Sequence, residues 1–158
     1  MLKVKAIFMF LFINLIAIGQ VNTQDTQGKY FVDENNVANS GYDVVAYFTD
    51  YKAVKGSKDH SAQYDGVIYY FASEEHKNMF EKDPTHYLPQ FGGYCAFGMG
   101  KMNSKVPTNP ETFKIYNGKL YLFFNDLYEG KKFNTIIPWN GDEVNLKQSA
   151  DKNWKAMN

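Results

Sequence analysis

The sequence predicts an α+β fold, in which a small antiparallel β-hairpin sheet packs with a short central helix and a C-terminal helix. Two alternating apolar runs flank Asn117-Gly118, a capping serine precedes a helix-like segment at Ser73, and an apolar stripe of helical period ends the chain. Strands and helices in separate stretches are typical of α+β folds. The 158 residues, 44% of them hydrophobic, suffice for one packed core.

The first half of the chain is expected to begin with strands. A turn at Gly41 leads into a short predicted strand within residues 41–48. Asp65-Gly66 forms the next predicted turn. Residues 67–71 (VIYYF) follow it and carry aromatic rings at both odd-numbered and even-numbered positions, which indicates a strand with rings on both faces.

The central helix is expected to begin after Ser73, a residue type that favours N-caps. Glu74 and Glu75 would lie in its first turn, where negative charge is favourable. We expect the helix to end near Glu81, because a proline follows at position 84 and restricts the residue before it.

The second half of the domain is predicted to contain the clearest hairpin. Residues 113–124 alternate around Asn117-Gly118, the signature of a type I′ turn. Residues 126–140 show no regular period and are expected to be irregular. The last helix is predicted over residues 141–154, because Leu146, Ala150 and Trp154 share one helical stripe.

The N-terminus has the pattern of a secretory signal peptide. Lys3 and Lys5 precede an almost purely apolar run, residues 6–19, and polar residues follow. A run of this length is shorter than the ~20 residues of a membrane span. We expect cleavage after Gly19 and a periplasmic or secreted protein with no stable membrane insertion after cleavage; the alternative is an uncleaved anchor. Residues 20–36 are interpreted as a flexible lead-in, and residues 37–155 as a single domain with a C-terminal extension.

The charge pattern argues against nucleic acid as a partner. The formal net charge is zero, and all 17 basic residues are lysines. A chain without arginine lacks the planar fork that recognises phosphate with two hydrogen bonds. A protein partner is left open by the sequence.

Cys95 is the single cysteine, so an exported form of this chain has no internal disulfide. The residue follows Gly92-Gly93, which permits a tight bend, and aromatic residues flank it. We therefore expect the thiol to be buried. Because no signature of a cysteine hydrolase surrounds Cys95, we expect no enzymatic activity.

The first functional hypothesis is a soft-metal site, most plausibly for copper. Cys95 would be a ligand together with His76 or His60, and Met99 or Met102 could add a thioether. Thiolate and thioether sulfur prefer monovalent copper.

The second hypothesis is a binding module without metal. In this reading an aromatic groove takes a protein partner or a small apolar ligand. The candidate lining residues are Tyr47, Tyr69, Tyr70 and Tyr94.

Three motifs give the chain a family resemblance. GYDVVAYF at residues 41–48, YDGVIYYFAS at residues 64–73 and LPQFGGYCA at residues 88–96 resemble the exported, longer YHS-domain-containing proteins of bacteria. The resemblance extends over about residues 37–155.

Short YHS domains resemble the TRASH-type metal-binding modules, which bind metal through three cysteines. On this sequence those positions fall at Ala46, Ala72 and His76. Of the three residues, His76 is the one that can still bind a metal, so the resemblance leaves His76 as the candidate metal ligand.

The signal-peptide prediction can be tested by deleting residues 1–19. The truncated protein should fold and remain in the cytoplasm, because the charged and apolar segments that direct export are gone. Cell fractionation beside the full-length chain measures this. Recovery of the truncated protein in the envelope would show that the segment is not the export signal.

Overall fold

The computed structural model describes residues 28–158, so the predicted signal peptide and residues 20–27 lie outside the described residues. The fold is α+β, as predicted, with three separate two-stranded antiparallel sheets. The strands are β1 (Ser57–Tyr64), β2 (Val67–Phe71), β3 (Asn109–Tyr116), β4 (Lys119–Phe123), β5 (Asn125–Tyr128) and β6 (Lys131–Asn134). The α-helices are α1 (Ala46–Thr49), α2 (Glu74–Lys82), α3 (Pro84–Tyr87), α4 (Ala96–Met102), α5 (Ile136–Gly141) and α6 (Glu143–Met157).

The described part of the predicted lead-in contacts the domain. Phe31 donates its backbone N–H to the carbonyl of Gly92 over 2.8 Å. The Tyr30 hydroxyl donates to Asp65, in the turn between β1 and β2, over 2.7 Å. Residues 28–31 therefore connect this turn to Gly92. Among residues 28–158, no helix has the length and apolar character that a membrane crossing requires.

The predicted strand within residues 41–48 is wrong, because these residues lead into helix α1. One carboxylate oxygen of Asp43 accepts hydrogen bonds from the backbone N–H groups of Val45 and Ala46, at 2.8 and 3.3 Å. A side chain that satisfies the free N–H groups of a first turn favours a helix start. The apolar run therefore turns into α1 instead of extending.

The prediction that residues 126–140 are irregular is also wrong. Strands β5 and β6 form a hairpin over Asn125–Asn134, and α5 follows. Its turn has positive φ at both Glu129 and Gly130 (50° and 76°). Because Glu is an uncommon residue in that conformation, the turn has no strong sequence signal.

The central and terminal helices are confirmed. Ser73 caps α2 by accepting a 3.1 Å hydrogen bond from the backbone N–H of His76. Helix α6 begins two residues later than predicted and buries Leu146 and Ala150, while Trp154 packs against the same core cluster.

Among the described residues the buried side chains form three core clusters. The first lies under β2 and α2 and contains Val67, Phe71 and Phe80. The second lies between α4, α5 and α6 and contains Met99 and Trp139. The third and smallest contains Tyr47, Leu120 and Leu122.

The β3–β4 turn is the predicted type I′ turn, with φ of 49° at Asn117 and 69° at Gly118. A Cβ at position 118 would meet nothing within 4 Å, so a substitution there tests conformation without steric overlap. Gly118→Val should lower the free energy of unfolding by ~1 kcal/mol or more, the cost of a left-handed β-branched residue. Denaturant unfolding measures this. Gly118→Asn is the control and should cost less, and equal stability of Gly118→Val and wild type would contradict the reading.

Candidate functional site

Cys95 is buried, as predicted, and lies at the N-cap of α4. Its sulfur accepts hydrogen bonds from the backbone N–H groups of Gly98, at 3.4 Å, and of Phe124, at 3.3 Å. The Thr135 hydroxyl oxygen is 3.3 Å from the same sulfur. Three elements that are distant in sequence thus meet at one thiol.

The hydrogen bonds around the thiol form a closed set. The Thr135 hydroxyl donates to the carbonyl oxygen of Phe124 over 2.9 Å. Its oxygen is then free to accept the S–H of Cys95. The S–H of Cys95 therefore has an acceptor, and its sulfur has two donors, none of them charged. With these hydrogen bonds made, the thiol can lie in an apolar interior.

A cavity of about 180 Å³ adjoins this thiol. Buried Cys95 and Thr135 form its inner wall, and the more exposed Met102, Tyr128 and Phe133 form its outer wall. The remaining lining residues are Phe97, Gly98, Val106 and Phe124. The lining is almost entirely apolar, which is typical of small-molecule sites.

His76 lies apart from this cavity, in a pair with Asp43. Its Nδ1 is 2.6 Å from a carboxylate oxygen of Asp43, whose side chain is 0% exposed, and its Nε2 is 3.4 Å from the hydroxyl of Thr49. The same Asp43 oxygen accepts the backbone N–H of Ala72 over 2.8 Å. A carboxylate on one ring nitrogen fixes the orientation of the ring, as it does for many metal-binding histidines.

The structure does not bring the three predicted metal ligands together. His60 contacts the carboxylate of Glu74 at 3.3 Å, His76 contacts Asp43, and Cys95 contacts the groups described above. Within residues 28–158, no group of three or more His, Cys, Asp and Glu side chains is arranged to hold a metal ion. Met102, by contrast, lines the same cavity as Cys95.

The predicted aromatic groove is corrected for two of its four rings. Tyr47 and Tyr69 are buried in two different core clusters, and their burial raises the pKa of each phenol well above its usual value. Rings that have almost no solvent-exposed surface cannot line a groove. Tyr70 and Tyr94 are half-buried, and Tyr94 packs against Phe31.

Sequence reasoning missed Asp43 and Thr135. Asp43 accepts a hydrogen bond from the backbone N–H group two residues later, a spacing typical of Asx turns. The motif GYDVV therefore carried a local signal for this role of Asp43. Thr135 reaches Cys95 across 40 positions of sequence and carries no local signal.

Asp43→Asn tests the buried carboxylate. The amide nitrogen of the new asparagine would point at an N–H group that donates to the carboxylate in the wild type. We therefore expect a loss of about 1–3 kcal/mol in the free energy of unfolding. Thr49→Val is the matched control, because Thr49 is exposed and contacts the other nitrogen of the His76 ring. It should change the free energy of unfolding by less than ~0.5 kcal/mol. Equal effects of the two substitutions in urea unfolding would contradict a structural role for Asp43.

The comparisons with known proteins give one finding. Residues 45–91 match the family model of the YHS domain. No curated protein matches the chain, and no solved structure matches it. The matched segment contains His60 and His76 and ends before Cys95. The match supports the YHS family for this part of the chain.

Proposed function

We propose that this protein is an exported, non-catalytic domain that binds a soft monovalent metal ion, copper(I), in the cavity beside Cys95. The observation that carries the proposal is that a thiol and a thioether, those of Cys95 and Met102, line one apolar cavity. Such sulfur ligands select copper(I). The YHS match fits a metal role for the domain.

The donor set suits copper(I) better than zinc. Structural zinc takes four nitrogen or sulfur ligands, and the two histidines of the hypothesis have other partners. Copper(I) accepts low coordination numbers, so Cys95 and Met102 would hold it. The backbone N–H groups of Gly98 and Phe124 donate to the sulfur and hold it in position beside the cavity.

The other two parts of the proposal rest on separate observations. Export is supported by the lysines and the apolar run of residues 1–19. A non-catalytic role is supported by the surroundings of Cys95, since its partners are two backbone N–H groups and Thr135. A cysteine nucleophile needs an adjacent base or cation.

Copper(I) titration under anaerobic conditions tests the proposal. The wild-type protein should bind one equivalent, and at a free metal concentration about 100 times Kd its stability should rise by ~2.7 kcal/mol. Cys95→Ser should lose this stabilisation, and Met102→Leu should weaken binding at least tenfold. Thermal unfolding and competition with a copper(I) chelator measure the two quantities.

Met79→Leu is the matched control, because this half-buried methionine packs against the first core cluster, away from the cavity. It should leave the copper affinity unchanged. Equal stabilisation of wild type and Cys95→Ser by copper(I) would overturn the site at Cys95, and no stabilisation of the wild type would favour a binding module without metal.

A further inference from the structure

We propose that the cavity between Cys95 and the β5–β6 hairpin is also a binding site for an uncharged, single-ring aromatic molecule. This inference does not rest on copper binding, because it depends on the volume and lining of the cavity and not on the sulfur ligands.

The cavity has the volume for one aromatic ring. It measures about 180 Å³. An engineered apolar cavity of about 150 Å³ in another protein binds benzene.

The lining favours an aromatic occupant over an aliphatic one. Phe97, Phe124, Tyr128 and Phe133 all contribute to the wall. The rings of Phe97 and Phe133 already meet edge to face, at 6.3 Å and 80°. A further ring among them would gain the same kind of contact, which adds to the area that it buries.

The inner wall offers a ligand no free hydrogen-bonding group. The S–H of Cys95 has the Thr135 oxygen as acceptor, and the Thr135 hydroxyl donates to the carbonyl of Phe124. None of the lining residues is charged. A polar group carried into the cavity would lose its water without a new partner, so the ligand should be an unsubstituted or alkylated ring.

The hairpin separates lining from non-lining side chains by its register. Asp126 pairs with Phe133 and Tyr128 pairs with Lys131, so Tyr128 and Phe133 share the face that lines the cavity. Leu127 pairs with Lys132 on the opposite face and is 67% exposed. Leu127 is therefore a matched control for substitutions at the outer wall.

Toluene titration of the purified, metal-free protein tests the inference by NMR. We expect saturable shifts at the residues that line the cavity, below the solubility limit of toluene. Phenol has the same shape with one hydroxyl and should bind at least tenfold more weakly. Because a chelator keeps the protein free of copper, failure of the copper proposal leaves this measurement unaffected.

Substitutions then locate the site. Val106→Phe would fill the cavity and should abolish saturable toluene binding, and Phe133→Ala should weaken it at least threefold. Leu127→Ala should match the wild type. The wild-type shifts keep the test valid if Val106→Phe fails to fold.

Three results would overturn the inference. The first is the absence of saturable shifts in the wild-type protein. The second is a set of shifts confined to residues outside the cavity. The third is equal affinity for phenol and toluene, since the closed hydrogen-bond set of the inner wall would then not govern recognition.

Discussion

The buried carboxylate of Asp43 is the interaction on which the arrangement of this domain depends. It accepts from the backbone of α1, from the backbone that follows β2 and from the His76 ring of α2. These bonds fix the position of α1 and with it Tyr47, whose hydroxyl donates to the carbonyl of Pro110 over 2.9 Å. The buried Asp43 thereby positions Tyr47, and Tyr47 connects the YHS-matched segment to strand β3.

A series of contacts connects Tyr47 to the cavity. Tyr47 packs with Leu120 and Leu122 of β4, and the chain beyond this strand presents the backbone N–H of Phe124 to the sulfur of Cys95. The β5–β6 hairpin follows directly and contributes its aromatic face to the outer wall. The candidate site thus lies outside the family match, on elements that the matched segment helps to position.

Sequence reasoning found the elements whose signals are local. The Asn117-Gly118 turn, the Ser73 cap and the stripe of α6 each depend on residues within a few positions of one another, and all three are present. The strand predicted within residues 41–48 was wrong because an apolar run does not distinguish a strand from a short buried helix, and the side chain of Asp43 decided for the helix. The β5–β6 hairpin was missed because its turn uses Glu129.

The sequence by itself determined the α+β class, the burial of a single cysteine behind two glycines and the presence of thioether ligands at Met99 and Met102. Only the tertiary structure decided which candidates share a place. It put Thr135 and Phe124 on the thiol, Asp43 on His76 and Tyr47 in the core. The physical reason is that a buried polar group must find its hydrogen-bond partner wherever packing brings one, and such partners are set by contacts between distant segments that no local pattern encodes.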